Sequence, residues 1–161
     1  MMLLDRLVRR LLARQVTALV SQALDEQWEE RTLYRHRVHG DRSRLHLDPS
    51  AVVNDALFNV ASGDITVGRH AFFGHHVSVL TGTHDITAFG PDRQHAIPRT
   101  GRDVVIEQGA WLASHVVVFG PCVVGEHAVV AGGSLVLGDV EPYSVVAGRP
   151  ATLLRRLDPG S

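Results

Sequence analysis

The chain of 161 residues contains no lysine, one cysteine and few aromatics, 6% in all. Its cationic residues are therefore all arginine, and this by itself carries no functional conclusion. A single cysteine excludes a disulfide framework within the chain and agrees with a reducing, cytoplasmic setting. A formal net charge of −1 excludes the broad cationic footprint expected of a nucleic-acid binder. No apolar run is long enough to span a bilayer. The first residues, "MMLLDRLVRRLLARQVTALVSQALDEQW", lack the uninterrupted apolar core of a secretory leader, because Arg6, Arg9, Arg10 and Arg14 interrupt them.

What the chain does have is a period of six. Over residues 104–140 aliphatic side chains recur at Ile106, Leu112, Val118, Val124, Val130 and Val136. Four places after each stands a small or β-branched residue: Ala110, Val116, Cys122, Ala128, Ser134 and Val140. Neither the 3.6 spacing of a helix nor the 2.0 spacing of a strand fits. Short extended sides with one inward side chain each, joined by tight corners, do fit. Upstream, Val67, Phe73 and Val79 keep the spacing, with Ala71, Val77 and Thr83 four places on. Leu47 and Val53 keep it too, with Ala51 and Leu57, and the phase slips by two near Ser62 and Gly63. The expected fold is an all-β core, a left-handed parallel β-helix with three hexads per coil. Ile106 should then stack on Val124, Leu112 on Val130 and Val118 on Val136. A two-sheet sandwich is the alternative, but sandwiches alternate at two.

The expected organisation has three parts. Residues 1–46 form an amphipathic helix and a basic linker. Residues 47–141 form the β-helix, interrupted by an aperiodic polar loop at 85–104. Residues 142–161 form a C-terminal tail, with a short strand, a Gly-Arg-Pro turn and a helix-like end covering the last coil. Along the first helix Leu4, Leu7 or Val8, Leu11, Ala18 or Leu19 and Ala23 mark an apolar stripe. Its early polar face is basic, which suits an anionic membrane surface through residues 1–20. Its far end is acidic (Asp25, Glu26, Glu29, Glu30), which favours packing on the prism or a partner subunit.

Ten histidines are present, so most are incidental. His36, His39 and His46 fall in the linker; His70, His75, His76 and His127 fall at corners and should point outward. His84 closes "TGTHD" (residues 81–85) and opens the long loop, a usual place for a site. Cys122 occupies a small-residue slot and reads as core.

"TGTHD", then "GRDVVIEQGAWLASHVVV", "VVGEHAVVAGGSLV" and "DVEPYSVVAGRPA", in that order, resemble the hexapeptide-repeat acyltransferases. The likeness is to the galactoside and maltose O-acetyltransferases and the exopolysaccharide acetyltransferases, and it covers residues 65–156. It implies an acetyl-CoA-dependent O-acetyltransferase acting on a sugar or glycoconjugate hydroxyl, with His84 as general base and no resident metal. An imidazole, titrating near neutrality, can take the hydroxyl proton as the oxygen attacks the thioester. The resemblance also implies a homotrimer with sites between subunits. Trp111, Ser114, Gly132, Arg149 and Arg155 match positions near acetyl-CoA, and Asn59 and Asp64 are candidate acceptor contacts. Where many relatives carry Thr-Lys the chain has Leu137-Gly138, and Thr152 replaces a second cation, so Arg149 and Arg156 stand as substitutes. Three other readings use the same residues: N-acetylation of an amino sugar or xenobiotic, a γ-carbonic-anhydrase-like metal enzyme using His70, His75 and His84, and a non-catalytic β-helix scaffold.

Overall fold

A computed structural model describes residues 12–22, 34–158 and 160. The chain divides into two units, residues 1–34 and 35–161. In the first, residues 12–22 are helical, and Leu12, Val16, Leu19 and Val20 are exposed along one stripe. The rest of the expected helix, with its acidic end, lies outside the described residues. No helix among the described residues is long and apolar enough to cross a membrane.

The second unit is a three-sided coil of short parallel strands. Sheet X contains β1 (Arg37–His39), β3 (Leu57–Asn59), β6 (Ser78–Leu80), β9 (Val117–Phe119) and β12 (Leu135–Val136), in that order. Sheet Y runs β10 (Cys122–Val124), β7 (Val104–Ile106), β4 (Ile65–Val67), β2 (Leu45–Leu47). Sheet Z runs β14 (Ala151–Arg156), β13 (Ser144–Gly148), β11 (Val129–Val130), β8 (Trp111–Leu112), β5 (Phe72–Phe73). The chain visits Y, Z and X in turn, so each strand up to β13 pairs in parallel with the one a full circuit away.

The stacking follows the six-residue period. Val124 sits on Ile106, Val130 on Leu112 and Val136 on Val118, each eighteen residues apart. All twelve residues of the 104–140 pattern are buried, from Ile106 and Ala110 at 0% exposure to Val140 at 6%. Each large aliphatic side chain so placed contributes about 1.5–3 kcal/mol of transfer free energy. β-branched residues suit the extended sides because their stiff side chains fit a pleated surface.

The corners explain several histidines. Asn54, His76, His115 and Gly133 have positive φ at the Z-to-X corner, and His70, Gly109, His127 and Tyr143 at the Y-to-Z corner. Short polar or ring side chains enter this region more readily than branched ones. These histidines point outward, as the sequence suggests, and their rings pile along the edges: His76 lies 5.0 Å from His115, and His127 lies 5.3 Å from Tyr143.

Elsewhere the coil departs from expectation. Upstream, Leu45 pairs with Ile65, twenty residues on, and Leu57 with Ser78, twenty-one on. Three extra residues sit at the X-to-Y corner and one fewer at the Z-to-X corner before it, and the difference of two is the phase slip. The Z-to-X corner between Val52 and Leu57 is one residue shorter than that between Phe72 and Ser78, so Phe58, not Leu57, is fully buried; at the X-to-Y corner Thr81, not Thr83, takes the interior position. The stretch expected as a basic linker supplies β1 and β2, which pair with β3 and β4. The tail is not helix-like. β14 turns back antiparallel on β13, with an irregularity between Val145 and Val146. It thereby satisfies the edge of sheet Z that β13 would otherwise present.

Candidate active site at the X-to-Y corner

The long loop leaves the coil at the X-to-Y corner, where the upstream coils also carry their extra residues. Thr81 fixes its departure. Its backbone N–H and its hydroxyl both donate to the Asn59 carbonyl oxygen, at 2.9 and 2.8 Å, and its Oγ1 accepts from the Ser62 N–H at 3.1 Å. Thr83 N–H then donates to Ser62 Oγ at 3.3 Å. Gly82 lies against the Asn59 amide so closely that a Cβ there would overlap it. Any larger residue at this point would have to displace the Asn59 side chain.

His84 follows, exposed, and its Nδ1 lies 2.8 Å from the Arg93 carbonyl oxygen. A carbonyl only accepts, so Nδ1 carries the hydrogen, and the neutral ring has its lone pair on Nε2. The Arg93 carbonyl is held in turn. Pro91–His95 form one turn of helix, Arg93 Nε donates to the Ala88 carbonyl at 2.7 Å, and the guanidinium lies 4.9 Å over the Phe89 ring. Asp85 closes the loop from the other side. Its N–H donates to the Ala96 carbonyl at 2.7 Å, and its carboxylate accepts from Thr87 N–H and Oγ1, which holds it below the usual carboxylate range.

The other expected residues fall into separate groups. Asn59 lies beneath Gly82, beside the loop. Asp64 is at the same corner, but its carboxylate is engaged by Arg44 Nε at 2.7 Å and His46 Nε2 at 3.1 Å, and the Arg44 hydrogen bond holds its pKa down. Ser114 and Gly132 are at the Z-to-X corner. Ser114 Oγ accepts from the His75 N–H at 3.1 Å, and a Cβ on Gly132 would lie 3.3 Å from the Ser114 carbonyl. Arg149 reaches the same corner, donating to the Gly133 carbonyl at 3.2 Å. Trp111 faces outward on sheet Z, 41% exposed, stacked on Phe72 with ring centroids 5.5 Å apart. Arg155 stands opposite Val145 on the same sheet. Within one chain, His84 and the residues matched by motif thus lie on different sides of the prism.

Sequence reasoning missed two features. The Arg93 carbonyl is a backbone group and leaves no signal in residue type. Asp55, 5% exposed, is the second: it accepts from the His76 N–H at 2.9 Å and pairs with His76 Nδ1 at 2.8 Å and His75 Nδ1 at 3.3 Å. Burial pushes its carboxyl up, but the hydrogen bonds and the histidines outweigh this and leave it below its ordinary value. Cys122 is 4% exposed and burial pushes its thiol up to about 12, so it is no ready nucleophile. Among the described residues, no three histidine, cysteine or acidic side chains are grouped to hold a metal ion.

No protein-family model matches the chain. A galactoside O-acetyltransferase of Lactococcus lactis is 31% identical over 114 residues, 71% of this chain and 54% of the relative. Serine acetyltransferase 2 of Arabidopsis thaliana is 35% identical over 115 residues, 71% of this chain and 33% of the relative. The chain therefore spans about half the length of the first relative and a third of the second. Among solved structures, a hexapeptide-repeat acetyltransferase of Vibrio cholerae complexed with acetyl coenzyme A superposes with a TM-score of 0.52 at 26% identity, covering 83% of this chain and 78% of that one. In its six-residue repeat, its three-sided coil and these relatives, the chain is related to the hexapeptide-repeat acetyltransferases and resembles the galactoside O-acetyltransferases among them.

Proposed function

We propose that the protein is an acetyl-CoA-dependent O-acetyltransferase acting on a sugar or glycoconjugate hydroxyl, with His84 as general base on a left-handed coil. The observation that carries this reading is the His84 ring pinned through Nδ1 to the Arg93 carbonyl, leaving Nε2 as the acceptor. Nε2 takes the hydroxyl proton as the acceptor oxygen bonds to the thioester carbonyl carbon. A backbone N–H stabilises the tetrahedral oxyanion. The C–S bond then breaks, and the thiolate recovers the proton from Nε2–H. No acyl-enzyme forms, in keeping with the buried Cys122.

The separation of His84 from Trp111, Ser114, Gly132, Arg149 and Arg155 supports a site shared between copies, closed as a homotrimer. Two apolar surfaces fit this. Ile86 and Phe89, beside His84, are 82% and 75% exposed, and the Phe72–Trp111 stack is an outward apolar face on sheet Z. A knob on one edge and a face on the opposite side make a heterologous contact, which can close into a ring. In that arrangement the pantetheine arm runs past Gly132, the arginines meet the CoA phosphates, and Asn59 lies nearest the acceptor.

The test is thiol release from acetyl-CoA across sugars and amines. Release dependent on a sugar hydroxyl is expected. Release with amines alone would replace O- by N-transfer, and none with any acceptor would leave a scaffold.

A further inference from the structure

The loop that presents His84 is held at its root by two arginines with no part in the chemistry above. Arg44 lies in the one-turn 3₁₀ helix Arg42–Arg44 between β1 and β2. Its Nε donates to Asp64 Oδ1 at 2.7 Å, and its Nη1 donates to the carbonyl oxygens of Val60 at 3.1 Å and Arg99 at 3.0 Å. One side chain thus ties the upstream corner to the returning limb of the loop. Arg102 Nε donates to the Thr81 carbonyl at 2.9 Å, joining the limb that leaves the coil to the limb that returns. The Arg102 backbone is itself wedged. A Cβ on Gly63 would stand 2.5 Å from its carbonyl carbon, and one on Gly120 would overlap its carbonyl oxygen.

The returning limb matters because the group that orients His84 lies on it. Arg99 is six residues past Arg93, and between them run the end of the short helix, Ala96, Ile97 and Pro98. We propose that Arg44 and Arg102 are positioning residues for His84, with Asp64 orienting Arg44: they fix the limb that carries the Arg93 carbonyl, and so fix which imidazole nitrogen is free. Arginine suits this role because its planar fork serves several acceptors at once, which an ammonium on a flexible stem does not. The engagement of Asp64 by Arg44 and His46 gives that carboxylate a structural part in place of the acceptor contact suggested by sequence.

The inference rests on His84 as the base, but its test does not depend on turnover. Long-range ¹H–¹⁵N imidazole spectra, with the His84 signals assigned by His84→Gln, report the tautomer directly. The intact protein should show Nδ1–H. Arg44→Met should show mixed tautomers and faster amide exchange over residues 93–101, Arg44→Lys an intermediate state, and Arg102→Gln the same loss as Arg44→Met. Turnover of acetyl-CoA should fall about tenfold in Arg44→Met with its KM unchanged, within the range that a misplacement of ~1 Å produces. A folded Arg44→Met or Arg102→Gln protein with the native tautomer would overturn the proposal, whatever its rate. A tautomer that shifts in a protein without acetyl transfer would uphold the brace and overturn the functional reading instead.

Discussion

Replacing His84 by alanine is expected to slow acetyl transfer by about 10²–10⁴-fold, the usual contribution of a positioned general base. The fall should lie in kcat, with the KM for acetyl-CoA little changed, because the ring makes its decisive interaction with a proton in flight. His84→Asn should be no better, since an amide cannot accept a full proton. Stability should be unaffected: His84 is exposed, and the hydrogen bond its ring makes is to a loop carbonyl. Steady-state thiol release, with thermal unfolding alongside, checks both halves. Undiminished turnover in His84→Ala would remove the residue from the mechanism.

The second large effect concerns the coil. Leu112 is fully buried, in register with Phe73 below and Val130 above. Leu112→Ala is expected to cost about 2–5 kcal/mol, the transfer term plus the cavity left in a stack that cannot collapse. Val123 lies on the outward side of sheet Y, 36% exposed, and Val123→Ala should stay within about 0.5 kcal/mol. Urea unfolding at one fixed protein concentration separates the two, the concentration being held because association shifts apparent stability. Equal losses would mean that the inward and outward assignment is wrong.

Residues 104–140 were legible because each six-residue unit encodes one whole side: one large inward residue, one small corner residue. The register of Ile106, Leu112 and Val118 followed directly. Legibility failed where the corner changed length. A Z-to-X corner one residue shorter than the next, between Val52 and Leu57, turned the inward position from Leu57 to Phe58, and no local preference announces such a change of corner length. β1 and β2 escaped notice because a three-residue strand such as "RVH" or "LHL" is too short to display a period. β14, "ATLLRR", has neither alternation nor a strong extended bias, and it is a strand because β13 offers it an unpaired edge.

The site divides the same way. His84 and Asn59 stood out by type and place, and the coil does bring Asn59 under the turn that precedes His84. The brace of Arg44 and Arg102 works through backbone carbonyls up to fifty-five residues away in sequence, so residue type gave no sign of it. Trp111, Ser114 and Gly132 could be matched by motif, yet one chain cannot bring them to His84.

That last point makes a complex with CoA the most direct test. A crystal structure of the assembled protein with CoA should show the pantetheine arm along Gly132 of one copy. The thiol should lie within reach of His84 Nε2 from a neighbouring copy, with Nδ1 still on the Arg93 carbonyl. CoA bound away from every His84, or a ring turned to offer Nδ1, would contradict the account.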